Sequence, residues 1–298
     1  MTHKTILITG ASSGLGLATA KALAADGAGL IMVSRSPVRA ELARREVDAV
    51  ATGPSPRVLI ADLASQAQVR ALAARVGAES PQLDVLINNA GGIFATRELT
   101  VDGIERTFAL NHLAPFLLTN LLIEPLKAAP AARVVTVASE AYPGRLDFNN
   151  LQGERSYHFL VAYMRSKLAN ILFSHELARR LQGSSVTANC LSPGPTLTRF
   201  GNDLTGPAAL FPRIMKRIPG LFAPVEFGAR TSIQLASAPE LEGVSGRFFL
   251  RGREQRTKPV TYDANVAARL WWLSEDLVSL KRVNPPAPRA AAPAMNVA

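Results

Sequence analysis

The chain has 298 residues, of which 48% are hydrophobic and 19% are charged, and its formal net charge is +10 at pH 7. This length is sufficient for one large α/β domain with a sizeable core, and the composition is ordinary for a globular protein. The single cysteine, Cys190, excludes an internal disulfide bond and predicts a reducing compartment, so we expect a cytoplasmic protein.

The positive charge has two interpretations, a nucleic-acid-binding surface or a solvated arginine-rich surface that attracts anionic cofactors. Basic residues are scattered from Lys4 to Arg289, and none interleaves with aromatic residues in a recognisable nucleic-acid module. We therefore expect no nucleic-acid partner. The four histidines lack metal-ligand spacing, which predicts no metal site. All apolar runs are far shorter than the ~20 residues that span a bilayer, so we expect no membrane anchor.

Strand and helix patterns alternate along the chain. Short apolar runs predict strands near residues 4–9, 29–34, 57–61, 83–88, 133–138, 186–191 and 247–250. Apolar residues at helical spacing predict helices near residues 14–26, 38–50, 65–78, 101–128, 159–182, 224–238 and 263–277. The predicted fold is α/β, a doubly wound (Rossmann) parallel sheet of about seven strands with helices on both faces. Ligands are expected at the carboxyl ends of its strands.

Two segments depart from this alternation. Residues 195–223 contain several prolines and glycines with large apolar side chains between them, directly after a predicted strand end. A long loop in that place is either disordered or functional, and we predict an apolar substrate lid. Residues 284–298 are rich in proline and alanine with little to bury, so we predict a disordered tail after a single domain of residues 1–283.

A glycine-rich turn lies between the first predicted strand and the first predicted helix. Gly10, Gly14 and Gly16 follow the strand in a GxxxGxG spacing, which differs from the common dinucleotide spacing GxGxxG. Glycines let backbone N–H groups approach a pyrophosphate, and the helix N-terminus favours negative charge. The alternative is an ordinary tight turn, but the position between a strand and a helix favours a nucleotide site.

A tyrosine and a lysine stand one helical turn apart in the predicted helix 159–182. Tyr163 and Lys167 therefore share a helix face. A free phenol has a pKa of about 10, which is too high for a proton shuttle at neutral pH. A neighbouring lysine cation favours the phenolate, so we expect Lys167 to lower the pKa of Tyr163. Alone, such a pair is common on solvated helix faces.

Taken in order, the motifs of this chain resemble those of the short-chain dehydrogenase/reductase family over roughly residues 4–280. The motifs that carry the resemblance are Thr9–Gly16, Asn88–Gly91, Asn111, Ser139 and Tyr163–Lys167. Residues 99–122 and 163–173 are similar to the retinol-dehydrogenase-like branch in particular. The resemblance implies a Rossmann-fold oxidoreductase that uses a nicotinamide cofactor.

The resemblance also implies a catalytic set. Tyr163 is expected to be the acid/base, with Lys167 lowering its pKa and binding the nicotinamide ribose. Ser139, at the end of the fifth strand, is expected to hydrogen-bond the substrate oxygen, and the alternative is a polar strand end. Asn111 is expected to hold a water in a proton relay to Lys167, and the alternative is a mid-helix asparagine with a structural bond.

The cofactor prediction depends on the end of the second strand. NAD-selective folds place an acidic residue there, about 20 residues beyond the glycines, whereas this chain has Arg35, whose guanidinium suits a 2′-phosphate. The alternative is that Arg35 lies in a surface loop without a ligand, and we predict NADP(H). The resemblance implies further cofactor contacts, so that the predicted set is Gly10, Ser12, Ser13, Gly14, Leu15, Gly16, Arg35, Asp62, Leu63, Asn89, Ala90, Gly91, Tyr163, Lys167, Pro193, Gly194, Thr196 and Thr198.

Two residues depart from the family pattern. Thr196 stands where relatives usually carry Val or Ile, and Ser192 stands where the retinol-like branch often has His. These departures weaken an assignment to retinol itself. We predict an NADP(H)-dependent oxidoreductase that interconverts a carbonyl and an alcohol on a bulky lipophilic substrate. The alternatives are a nucleotide sensor or scaffold without turnover and a sugar-nucleotide epimerase or dehydratase, and the sequence leaves a homo-oligomer open.

Overall fold

A central sheet organises the computed structural model, which describes residues 1, 4–196, 209–210 and 222–280. Within these residues the sheet has eight strands: β1 (Thr5–Thr9), β2 (Gly29–Ser34), β3 (Arg57–Ile60), β4 (Val85–Asn88), β5 (Ala132–Val137), β6 (Val186–Ser192), β7 (Phe248–Leu250) and β8 (Arg253–Glu254). Most of the predicted lid 195–223, and all of the predicted tail 284–298, lie outside the described residues.

The strand order is β3-β2-β1-β4-β5-β6-β7-β8, and all neighbours are parallel except β7 and β8. The prediction of a doubly wound sheet is therefore confirmed. The additional strand β8 pairs back onto β7 through the two residues Arg251 and Gly252, which have φ of 52° and 76°. Positive φ at both turn residues matches the right-handed twist of a hairpin. The sequence did not predict β8, because this short strand carries no apolar pattern.

Nine α-helices are described around the sheet: α1 (Gly14–Ala25), α2 (Pro37–Asp48), α3 (Gln66–Glu79), α4 (Arg106–Phe108), α5 (Ala114–Leu121), α6 (Ile123–Lys127), α7 (Phe159–Arg180), α8 (Val225–Ser237) and α9 (Ala264–Leu277). Helices α1, α2 and α8 pack together on one face, whereas α3, α5 and α7 cover the other, with α9 packed against α7. Alternate side chains of β1 divide accordingly, since Ile6 and Ile8 belong to one buried cluster and Leu7 to the other.

The prediction of one continuous helix over residues 101–128 is wrong. Gly103, with φ of 73°, lies in a turn that is closed by the N–H of Thr100 bonding to the carbonyl of Ile104 at 2.8 Å. Helical structure begins only after Glu105, whose carboxylate accepts from the N–H groups of Thr107 and Phe108. A π-helical segment, Ala109–Leu113, then separates α4 from α5. Such segments are frequent at functional sites.

The sheet brings the motifs of the chain to one edge. Strand β1 lies between β2 and β4, so the connections from β1 and β4 leave the sheet in opposite directions at this point. In open α/β sheets, ligands bind outside the carboxyl ends of the strands at such a switch point. Among the helices that are described, none is long and apolar enough to cross a membrane.

Candidate active site

The turn between β1 and α1 requires glycine for steric reasons. Gly10 and Gly14 have φ of 68° and 51°, which side chains rarely adopt. A Cβ on Gly16 would stand 2.4 Å from the carbonyl oxygen of Gly10 and 2.5 Å from Nδ2 of Asn89. The helix can therefore begin against the end of β1 only if residue 16 has no side chain.

The N-terminus of α1 is available to an anion. Helices α2 and α3 are capped by the hydroxyls of Ser36 and Ser65, which accept from the N–H groups of Arg39 and Gln68. In contrast, the Ser13 side chain makes no capping bond at α1. The first N–H groups of a helix lack intrahelical partners and carry the positive end of its dipole. An uncapped N-terminus beside a glycine turn therefore fits a pyrophosphate.

Asn89 joins the ends of β1 and β4. Its Nδ2 donates to the carbonyl of Thr9 at 2.8 Å, and its backbone N–H donates to Oγ1 of Thr9 at 3.0 Å. The N–H of Ala90 donates to the same hydroxyl at 3.0 Å. Asn89 thus links the carboxyl ends of β1 and β4. Thr9 begins the glycine motif, but the sequence analysis assigned it no role.

The end of β2 presents a cation next to the glycine turn. Ser34, its last residue, lies with its hydroxyl 2.9 Å from that of Ser12, which brings Arg35 to the rim of the turn. Arg35 is exposed, and no ion pair or hydrogen bond joins its guanidinium to any other described side chain. Asp62, after β3, accepts from the N–H of Ala64 at 3.0 Å, and Leu63 is buried. An unpaired guanidinium at this rim fits an anionic group on the adenosine side of a dinucleotide.

Tyr163 and Lys167 lie on the same face of α7, which faces the end of β5. Nζ of Lys167 is 5.6 Å from the centroid of the Tyr163 ring and donates to the Val137 carbonyl at 2.9 Å. Ser139, two residues beyond that carbonyl, lies close enough to the Tyr163 phenol for its hydroxyl to oppose the rise in the phenol pKa. Three predicted catalytic side chains therefore meet at the carboxyl edge of the sheet.

The pKa values of the pair differ from the sequence-based expectation. Tyr163 keeps part of its surface exposed, yet burial of its phenol raises the pKa to about 12, and the nearby Ser139 hydroxyl offsets this rise only in part. Burial lowers the pKa of Lys167 to about 8. The prediction that Lys167 lowers the phenol pKa is thus wrong for this state of the protein. The physical reason is that the ammonium donates to Val137 and lies over the ring, while desolvation dominates the phenol.

Asn111 is buried in the π-helical segment, and its amide is almost fully hydrogen-bonded. Oδ1 accepts from the N–H of Gly92 at 2.8 Å, while Nδ2 donates to the Gly92 carbonyl and to Oγ of Ser166, both at 2.9 Å. A Cβ on Gly91 would lie 3.2 Å from Oδ1 of Asn111 and 3.6 Å from Nζ of Lys167. Asn111 and Lys167 thus approach the same small space, and one lone pair of Oδ1 stays available there.

The chain after β6 packs against α8. Gly194, with φ of 71°, follows Pro193 and donates its N–H to Oγ of Ser192 at 3.2 Å. Thr196 forms a parallel bridge with Ala223. A Cβ on Gly228 would lie 2.3 Å from the methyl group of Thr196. Thr196 therefore retains a methyl group, as Val or Ile would, and this methyl group packs tightly against Gly228. Thr198 lies outside the described residues.

Besides Thr9, three residues of this site were not found from the sequence. Gly92 holds the amide of Asn111, Ser166 connects Asn111 to the Tyr163 carbonyl, and Gly228 receives the Thr196 methyl. Ser166 could have been noticed, since it lies inside the Tyr163–Lys167 motif. The other two depend on contacts between segments that are distant in sequence, so no local signal marks them.

A comparison with family models decides the family, because the model described as "short chain dehydrogenase" matches residues 4–207. The chain belongs to the short-chain dehydrogenase family. It is 47% identical over 296 residues to retinol dehydrogenase 14 of Homo sapiens, covering 94% of this chain and 88% of that protein. It is 38% identical over 279 residues to retinol dehydrogenase 12 of Mus musculus, covering 93% and 87%. These relatives place it in the retinol-dehydrogenase-like branch.

Solved structures agree with this assignment. An uncharacterized protein from Mycobacterium Paratuberculosis is 36% identical, with a TM-score of 0.75 and coverage of 93% of this chain and 94% of that chain. The Pseudomonas aeruginosa RhlG/NADP active-site complex is 25% identical, with a TM-score of 0.66 and coverage of 84% and 95%. The chain is thus a carbonyl/alcohol oxidoreductase of the kind that uses a nicotinamide cofactor.

Proposed function

We propose that this protein is an NADP(H)-dependent oxidoreductase that interconverts a carbonyl and an alcohol on a bulky lipophilic substrate, with Tyr163 as the acid/base. The observation that carries this proposal is the meeting of Ser139, Tyr163 and Lys167 at the carboxyl end of β5, where Nζ of Lys167 lies 5.6 Å from the Tyr163 ring and donates to the Val137 carbonyl. This arrangement supports the proposal because one substrate oxygen could then bind two hydroxyl groups, with Tyr163 as the proton donor. A nicotinamide cofactor would supply or accept the hydride when it is bound.

The protonation states favour Tyr163 as an acid. A phenol with a pKa of about 12 is protonated at neutral pH, so it can donate its proton to a carbonyl oxygen that is being reduced. Ser139 accepts from the N–H of Ala141 at 3.0 Å, which leaves its own hydroxyl proton for the phenol or the substrate oxygen. Lys167, held by Val137, places a positive charge beside the phenolate that results.

The proposed cofactor site combines a helix N-terminus and an arginine, each of which suits a different phosphate group of the cofactor. The uncapped N-terminus of α1 would hold the pyrophosphate, and the unpaired Arg35 at the rim would hold a 2′-phosphate. A structural neighbour that is 25% identical is described as an NADP complex, which supports NADP(H) over NAD(H). Asp62, Ala90 and Gly194 stand at the same edge of the sheet and remain predicted contacts.

The lipophilic substrate is proposed on two grounds. The named relatives are retinol dehydrogenases, and residues 195–223 include apolar side chains such as Leu210 and Phe222. The lid assignment itself stays a prediction from the sequence, as does the cytoplasmic location. Ser192, in place of the expected His, accepts from Gly194, so the region next to the cofactor differs from that expected for retinol. We therefore propose the class of substrate and not retinol in particular.

The test is the loss of NADPH absorbance with a panel of retinoid, steroid and long-chain aliphatic carbonyls, with small water-soluble carbonyls as controls and NADH in parallel. We expect turnover of lipophilic substrates with NADPH. Arg35→Asp should reverse the cofactor preference, because it replaces the cation with a charge that repels a 2′-phosphate. Arg75→Asp, at an exposed position on α3, is the matched control and should not change the preference. Tight NADPH binding without turnover of any carbonyl would favour the sensor alternative instead.

A further inference from the structure

A serine inside the Tyr163–Lys167 motif is fully buried, and the proposed chemistry does not use it. Ser166 is 0% exposed and stands directly before Lys167 on α7. Its hydroxyl donates to the Tyr163 carbonyl, three residues earlier, at 2.7 Å. A serine in a helix often bonds to the helix backbone in this way, so this bond alone indicates no role in the site.

The second partner of this hydroxyl is the amide of Asn111. Nδ2 of Asn111 lies 2.9 Å from Oγ of Ser166 and is the donor, because an amide nitrogen does not accept hydrogen bonds. The single hydroxyl proton of Ser166 is already directed to the Tyr163 carbonyl. The hydrogen bonds therefore run in one direction, from the π-helical segment through Ser166 to the backbone of the proposed acid/base.

Both donors of the Asn111 amide are used in this arrangement. One N–H of Nδ2 bonds to the Gly92 carbonyl and the other to Oγ of Ser166, both at 2.9 Å. Oδ1 accepts from the N–H of Gly92 at 2.8 Å, and its second lone pair remains. Gly92 and Ser166 thus hold the amide from two separate segments of the chain.

The orientation of this amide matters because of what Oδ1 approaches. A Cβ on Gly91 would lie 3.2 Å from Oδ1 of Asn111 and 3.6 Å from Nζ of Lys167, so the oxygen and the ammonium border the same space. An amide oxygen is favourable beside a cation, whereas an amide NH₂ would be repelled there. Ser166 selects the favourable orientation, because a hydroxyl that donates to Tyr163 can only accept from the amide.

We propose that Ser166 is a positioning residue that acts through Asn111: it holds the amide oxygen towards Lys167 and fixes the π-helical segment relative to Tyr163. Without the hydroxyl, one buried N–H of Asn111 would have no acceptor, which is costly. The amide, and the segment that carries it, would then shift relative to the lysine. The effect of Ser166 on turnover rests on the proposed function, but its effect on the amide does not.

The first experiment observes the Asn111 amide directly. The protein is labelled with ¹⁵N-asparagine, and the side-chain signals of Asn111 are assigned by NMR from their through-space contact with the Gly92 N–H. We expect one of the two Nδ2 protons to move upfield in Ser166→Ala, because it loses its acceptor. Ser174→Ala is the matched control, since Ser174 is also buried on α7 and bonds to neither Asn111 nor Tyr163. Identical Asn111 signals in wild type and Ser166→Ala would overturn the proposal, whether or not the protein turns over any substrate.

The second experiment is a double-mutant cycle on kcat, which tests whether Ser166 acts through Asn111. We expect Ser166→Ala to lower kcat roughly tenfold with little change in the KM of the carbonyl substrate, and Ser174→Ala to leave both unchanged. In an Asn111→Ala background, Ser166→Ala should lower kcat by less than about twofold, because the amide that it positions is absent. An equal loss in both backgrounds, or a Ser166→Ala enzyme with the wild-type kcat, would contradict the proposal.

Discussion

Replacing Lys167, the proposed catalytic lysine, should make the protein more stable while it abolishes turnover. Lys167 is 4% exposed, and burial lowers its pKa from 10.5 to about 8. A shift of about 2.5 units corresponds to about 3 kcal/mol by which burial disfavours the charged form. Lys167→Met keeps the length of the side chain without a charge. We therefore expect the free energy of unfolding to rise by on the order of 1–3 kcal/mol at pH 7, because the Val137 carbonyl keeps Asn170 as a donor.

The pH dependence of this difference has a definite sign. Below about pH 8 the lysine is protonated in both the folded and the unfolded state, so the full cost of the buried charge is present. Between pH 8 and 10.5 the folded state releases its proton while the unfolded state retains it, and the wild type gains stability as the pH rises. The advantage of Lys167→Met should therefore be constant up to about pH 8 and shrink above it.

The assay is urea unfolding of the wild type and Lys167→Met from pH 6 to 10, at one ionic strength. Lys21→Met is the matched control, since Lys21 is half exposed and its ion pair with Glu46 spans 3.5 Å. Exposed pairs of this kind contribute little to stability, so the control should change little. A Lys167→Met protein that is less stable than wild type at pH 7, or an advantage that grows above pH 8, would refute the reasoning.

Three further predictions concern the glycine contacts and the protonation state. Gly16→Ala should weaken NADPH binding in calorimetry by roughly tenfold or more, because its Cβ would stand 2.4 Å from the Gly10 oxygen, whereas Gly29→Ala, with no atom nearer than 3.7 Å, should bind normally. Gly228→Ala should weaken cofactor binding through its clash with the Thr196 methyl, and the double variant with Thr196→Ser should recover affinity if that methyl is the cause. Because the raised pKa keeps the Tyr163 phenol protonated, kcat for alcohol oxidation should rise between pH 6 and 8 while kcat for carbonyl reduction stays flat; a parallel rise in both directions would contradict this assignment.

The sheet could be predicted from the sequence because its strands are buried on both faces. Such strands appear as short apolar runs, and the alternation with helices indicates the parallel order. The exception is the helix predicted over 101–128, where apolar periodicity continues through a turn at Gly103 and a π-helical segment. Periodicity reports which side chains are buried, but it does not report how the backbone hydrogen bonds are arranged.

The candidate site could be predicted as a list of residues but not as an electrostatic environment. Tyr163 and Lys167 share a face because helical spacing requires it. Their pKa values depend on burial and on the Val137 carbonyl, which the fold supplies from a distant strand. The sequence alone therefore suggested that the lysine acidifies the phenol, whereas burial in the fold raises the pKa of the Tyr163 phenol and lowers that of Lys167.

The most direct test of the account is the activity of Tyr163→Phe, measured together with its affinity for NADPH. Phenylalanine keeps the ring beside Lys167 and removes only the phenol hydroxyl, which lies near Ser139. We predict that kcat falls by roughly 10²-fold or more, since a positioned proton donor contributes about 10²–10⁴ in rate, while the Kd of NADPH is nearly unchanged. A variant that keeps more than about a tenth of the wild-type kcat would show that Tyr163 is not the acid/base.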